Sequence, residues 1–114
     1  MIAREEHQSP DGQLRFIVLR EPGDTTLGFE GYSWHTHGDV IAGELKLVGK
    51  GDFTAKEATE RLISDLLSSR VKIAILRING MIADVYASYL EEGNDSYRPD
   101  EESLELRYWD GTPG

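Results

Sequence analysis

Residues 71–78 and 81–90 form two apolar runs separated only by Asn79-Gly80. A type I′ turn needs positive φ at both central positions, and Asn and Gly tolerate it best, so the dipeptide predicts a two-residue β-hairpin with Ile78 opposite Met81. Counting outward puts Ala74, Leu76 and Ile78 on one face with Met81, Ala83 and Val85, and Ile73, Ile75 and Arg77 on the other with Ile82, Asp84 and Tyr86. Both faces are largely apolar, so the second needs cover from another subunit, from sheet curvature or from the acidic segment folding back. Exposure of Ile73, Ile75, Ile82 and Tyr86 would leave a larger patch than monomers usually carry, so a homodimer or a self-covered concave sheet is expected. On this register Arg77 and Asp84 are diagonal neighbours and can pair across the strands.

The best-marked helix precedes the hairpin. Thr54 and Glu57 have capping-box spacing, Phe53 sits at the staple position opposite Ala58, and Ala55, Ala58, Leu62 and Leu66 trace one apolar stripe. Upstream, residues 14–20 (LRFIVLR) read as a strand between the turns Ser9-Pro10-Asp11-Gly12 and Glu21-Pro22-Gly23-Asp24. Residues 25–34 read as a second strand, kinked at Gly28 and Gly31. Residues 40–48 (VIAGELKLV) alternate from Glu44 onward and read as a third. Residues 1–12 read as a loose polar leader, 91–103 as an acidic loop and 104–109 as a closing strand. The expected fold is a single α+β domain over residues 1–114, ordered β-β-β-α-β-β-β, a mainly antiparallel sheet with one amphipathic helix on one face.

Composition narrows the function classes. The chain has 114 residues and no cysteine, which excludes thiol nucleophiles, redox pairs, disulfides and thiolate metal sites. A formal charge of −9 disfavours nucleic acid, whose binding depends on several Lys or Arg contacts to phosphate. The longest apolar stretch, residues 71–89, is interrupted by Lys72, Arg77, Asn79, Gly80 and Asp84, so no membrane span of about 20 apolar residues is expected. The N-terminal stretch has no apolar signal-type region, and a cytoplasmic location is expected.

Chemistry-bearing residues gather in residues 28–39, GFEGYSWHTHGD. On an extended backbone His35 and His37 project to one side, about 7 Å apart at Cα, and Asp39 follows at the same spacing. Two imidazoles and a carboxylate make a candidate site for one divalent metal ion such as zinc, which Glu30, Glu44 or His7 would supplement. The alternative is that Gly38-Asp39 is simply a turn between strands, with both histidines ordinary half-exposed strand residues. The run resembles the metal motif of the metallo-β-lactamase fold as far as Asp39; that motif continues with His where this chain has Val40, and 114 residues are too few for that fold. Cupins also use His-x-His, with glutamate and glycine spacings this chain does not have. Ser33 lacks the Gly-x-Ser-x-Gly elbow of a nucleophile, and Gly49-Lys50-Gly51 is too short for a phosphate-binding loop.

The second cluster is acidic. Eight acids against Arg98 and Arg107 place −6 of the total −9 between residues 91 and 110. Glu91, Glu92, Asp95, Tyr97, Asp100, Glu101, Glu102 and Trp109 form a candidate interaction surface, with rings for contact area and acids to steer a basic protein partner. The alternative is a solvated loop beside ordinary strand aromatics. The expected function is thus a noncatalytic protein-interaction module without a cofactor, and the alternative a metal-binding protein or small metal-dependent enzyme using His35, His37 and Asp39.

Overall fold

The computed structural model describes residues 3–90 and 102–114 and is α+β. The strands β1 (Ala3–Gln8), β2 (Arg15–Glu21), β3 (Asp24–Phe29) and β4 (His35–His37) form an antiparallel meander. Two helices follow, α1 (Gly38–Leu47) and α2 (Ala55–Leu67), and then β5 (Ile73–Ile78), β6 (Met81–Ala87) and β7 (Glu102–Arg107), a second antiparallel sheet in the order β6-β5-β7. Among the described residues no helix is long and apolar enough to cross a membrane.

Residues 3–8 and 40–48 differ in type from expectation. Residues 3–8 are not a loose leader but the edge strand β1, in register with β2 from Ala3–Arg20 to Gln8–Arg15. Its polar composition hid it: backbone pairing holds an edge strand, and here only Glu5 and His7 turn even partly inward. Residues 40–48, expected as a strand, belong mainly to α1. The period of two seen from Glu44 onward coexists with a helical repeat, since Ile41 and Leu45 are four apart and both are fully buried. Burying two such side chains contributes about 1.5–3 kcal/mol each, more than the roughly 1 kcal/mol span of strand propensities. The described residues therefore form two helices where one was expected.

Elsewhere the local signals act as expected. The Thr54 hydroxyl accepts from the Glu57 amide at 3.1 Å and the Glu57 carboxylate accepts from the Thr54 amide at 2.9 Å, completing the capping box of α2. Ala58, Leu62 and Leu66 are buried as the stripe requires, joined by Thr59 and Ile63, whereas Ala55 is exposed. The hairpin turns at Asn79 (φ 53°) and Gly80 (φ 80°), with Ile78 opposite Met81.

A bulge between Leu76 and Arg77 then shifts the register, so that Leu76 faces Asp84 and Ile75 faces Val85. It moves Val85 and Ala87 onto the face of Ile73 and Ile75, and Tyr86 onto the opposite one. Ile73 and Ile75 are thus interior residues, 0% and 3% exposed, and do not share an exposed patch with Tyr86. Arg77 pairs with Glu105 at 3.5 Å instead of with Asp84.

Both sheets and both helices feed one connected apolar cluster. Phe16, Val18 and Leu27 come from the first sheet, Ile41 and Leu45 from α1, Leu62 and Leu66 from α2, and Ile73 and Val85 from the second sheet.

Candidate functional site

The expected second strand does not continue to Trp34. It ends at Phe29, and the chain reverses through Gly31 (φ 88°) and returns as β4, antiparallel to β3. Gly28 permits that return, because a Cβ there would lie 3.0 Å from the Trp34 carbonyl oxygen. The register sets His35 opposite Gly28 and His37 opposite Thr26. The two histidines therefore share a face of the sheet, their rings 5.5 Å apart and nearly perpendicular. Thr36 between them turns inward, 5% exposed, its hydroxyl without a hydrogen-bond partner among the described residues.

Each imidazole has its Nδ1 engaged. His35 Nδ1 donates to the Ser33 carbonyl oxygen at 3.1 Å. His37 Nδ1 lies 3.3 Å from a carboxylate oxygen of Asp24 and 3.3 Å from the Thr26 hydroxyl. A carbonyl or carboxylate oxygen can only accept, and a neutral imidazole that donates to one through Nδ1 keeps its lone pair on Nε2, the atom then open to a metal ion. Ser33 contributes its main-chain oxygen to this contact.

Asp39 does not follow the histidines along a strand. Helix α1 begins at Gly38, and Asp39 lies in its first turn, where a carboxylate complements the helix dipole. Among the described residues no three His, Asp or Glu side chains gather closely enough to hold a metal ion. An open groove of about 990 Å³ runs between the β2–β3 hairpin and the start of α2, with His37, Gly38 and Asp39 in its wall. Arg20 spans this groove, donating to Glu5 at 2.7 Å and to Glu60. Its guanidinium holds the Glu5 carboxyl below the usual range.

Most of the expected acidic surface, namely Glu91, Glu92, Asp95, Tyr97, Asp100 and Glu101, lies outside the described residues. Glu102 opens β7, half-buried opposite Ile78. Trp109 is not a surface residue: it is 6% exposed and sets its ring edge-on to Phe16 at 6.4 Å. Its place directly after the last strand, where an apolar ring closes the core, outweighs its nearness in sequence to the acids.

Sequence reasoning missed the other side of α1. Val40, Leu47 and Val48 are 50%, 77% and 38% exposed, while Ile41 and Leu45 of the same helix are fully buried. Val40 and Leu47, seven apart, stand two helical turns from each other on one face, with Gly43 between them. Helix α1 thus has two apolar faces, one in the core and one in solvent. The signal was the seven-residue spacing of Val40 and Leu47, obscured by reading the segment as a strand.

No family model, no curated protein and no solved structure matches this chain.

Proposed function

We propose that this chain is a noncatalytic protein-interaction module whose contact surface includes the solvent face of α1. The observation that carries the reading is the second apolar face of that helix, with Leu47 the most exposed of its side chains. A helix apolar on two sides is suited to a core on one and a partner on the other. For any partner of a different sequence, the formal charge of −9 favours a basic protein.

Lys46, in the last turn of α1, and Lys50, three residues after Leu47, are exposed amines near the apolar stripe in sequence and make it accessible to cross-linking. Amine-reactive cross-linking of the purified chain, alone and in cell extract, is expected to give stoichiometric adducts at these two lysines. Leu47→Glu should reduce them about tenfold or more, as loss of roughly 1.5–3 kcal/mol of apolar burial implies. Adducts indifferent to that substitution would remove α1 from the contact surface.

A second reading, binding of one divalent metal ion such as zinc, is favoured by the histidine pair. Metal-ligating imidazoles characteristically donate their other N–H to a carboxylate or a main-chain carbonyl, and His37 and His35 are arranged in these two ways. Two protein ligands leave a zinc ion weakly held, so the expected result is a shift in melting temperature only at high added zinc, lost in His35→Ala with His37→Ala. A melting temperature unmoved by zinc at any concentration would end this reading.

A further inference from the structure

We propose that the solvent face of α1 pairs with the same face of a second copy of this chain, the two helices running antiparallel and crossing at Gly43. The pairing presupposes the interaction reading above and names its occupant.

Gly43 is the first ground. It lies inside α1, where glycine costs about 1 kcal/mol relative to alanine. Nothing among the described residues requires it: a Cβ built there meets none of their atoms within 4 Å, and its φ is not in the positive range. Gly38, at the start of the same helix, differs, because a Cβ there would collide with the Ala55 carbonyl and lie 2.6 Å from the Thr59 hydroxyl. One glycine is thus explained by the neighbouring helix, and the other faces solvent at the centre of an apolar stripe. A backbone approaching from outside the subunit accounts for it, since only the absence of a side chain allows two helices to come that close.

The stripe is also self-complementary. Val40 precedes Gly43 by three residues and Leu47 follows it by four. A two-fold axis through Gly43, perpendicular to the helix, brings Val40 against the partner's Leu47 and Leu47 against the partner's Val40, as an isologous interface requires. Asp39 and Lys46 lie on one flank of this stripe, near opposite ends of the helix. Antiparallel pairing sets Asp39 beside the partner's Lys46 twice over, whereas a parallel two-fold pair puts the two copies' charged flanks on opposite sides of the interface, where they make no such contact. Antiparallel helix dipoles favour the same arrangement. Among the described residues Lys46 pairs only with the exposed Asp52, at 3.9 Å, a pair too solvated to compete strongly.

The test is the mass of the full chain by light scattering and sedimentation from about 1 to 500 µM, the affinity range of a small specific interface. The wild type should rise with concentration from 12.8 kDa towards twice that mass. Gly43→Leu has open space in the subunit, so its circular dichroism should be unchanged while association falls about tenfold or more; Leu47→Glu should act alike. Asp39→Lys should weaken the dimer, and Asp39→Lys combined with Lys46→Asp should restore it. A chain monomeric throughout overturns the proposal; if cross-links at Lys46 and Lys50 then join it to a different protein, the interaction reading survives alone, and if they are absent both fall. A dimer unaffected by Gly43→Leu and Leu47→Glu overturns the assigned face, and failure of the charge exchange to rescue overturns the antiparallel arrangement.

Discussion

Gly38→Ala is expected to destabilise the protein by about 3 kcal/mol or more, at the upper end for overpacking and a large part of the roughly 5–15 kcal/mol by which domains are stable. Gly38 is buried where α1 meets the first turn of α2, and an added methyl group would run into the Ala55 carbonyl. That carbonyl cannot readily move: it accepts from the Thr59 hydroxyl at 2.8 Å, in a turn already fixed by the Thr54–Glu57 capping box. The same substitution five residues later should have the opposite sign. Gly43→Ala meets no neighbour among the described residues, and should stabilise the protein by roughly 0.5–1 kcal/mol through helix propensity. Urea unfolding of both variants, at concentrations where the chain is monomeric, compares the midpoints at unchanged slope. A Gly38→Ala midpoint equal to that of the wild type would show that the two helices can separate without cost.

Asp11→Asn is expected to cost about 2–3 kcal/mol at neutral pH. Asp11, in the β1–β2 turn, accepts from Arg107 Nη1 of β7 at 2.6 Å, tying the two sheets together at their chain ends. The Arg107 side chain is 8% exposed, and its remaining contacts are the main-chain oxygens of Tyr108 and Trp109. Removing the carboxylate charge therefore leaves a buried cation hydrogen-bonded only to neutral groups among the described residues, with the exposed Asp110 carboxylate the remaining charge acting on it. Breaking a fully buried pair costs about 3–5 kcal/mol, and the lower figure reflects an Asp11 side chain that is 34% exposed.

The Arg107 guanidinium, with the Ser9 hydroxyl, holds the Asp11 carboxyl well below its ordinary value of 3.8. A carboxyl depressed in the folded state stabilises above its unfolded value and loses that contribution as pH falls through it towards the folded value. The difference between wild type and Asp11→Asn should accordingly be full at pH 7 and shrink below about pH 4. A difference that stays constant down to pH 2 would mean that the carboxylate charge contributes nothing.

The sequence by itself determined the elements whose causes are local. Asn79-Gly80 turned the hairpin, Thr54 and Glu57 capped α2, Ser9-Pro10-Asp11-Gly12 reversed the chain, and the β-branched and aromatic content of residues 14–20 marked β2. Each depends on residues no more than a few positions apart, whose dihedral preferences and hydrogen bonds operate before distant contacts form. It also placed His35 and His37 on one face, because strand alternation requires it.

Only the tertiary structure decided the rest. Residues 40–48 carry both a strand period and a helix period, and the choice fell to the core, where α2 offers Gly38 a seat and Ile41 and Leu45 are fully buried. The edge strand β1 has little apolar pattern of its own and exists through its backbone ladder with β2. The bulge at Leu76 and Arg77 leaves no mark in the turn that follows it, yet it reassigns Val85, Tyr86 and Ala87 to opposite faces from those expected. Asp24 became the partner of His37, and Trp109 a core residue, through pairings and packing between segments distant in the chain. Local chemistry specifies turns and caps, but which of two compatible periodicities is used, and which face is left for a partner, depends on what the rest of the chain has already buried.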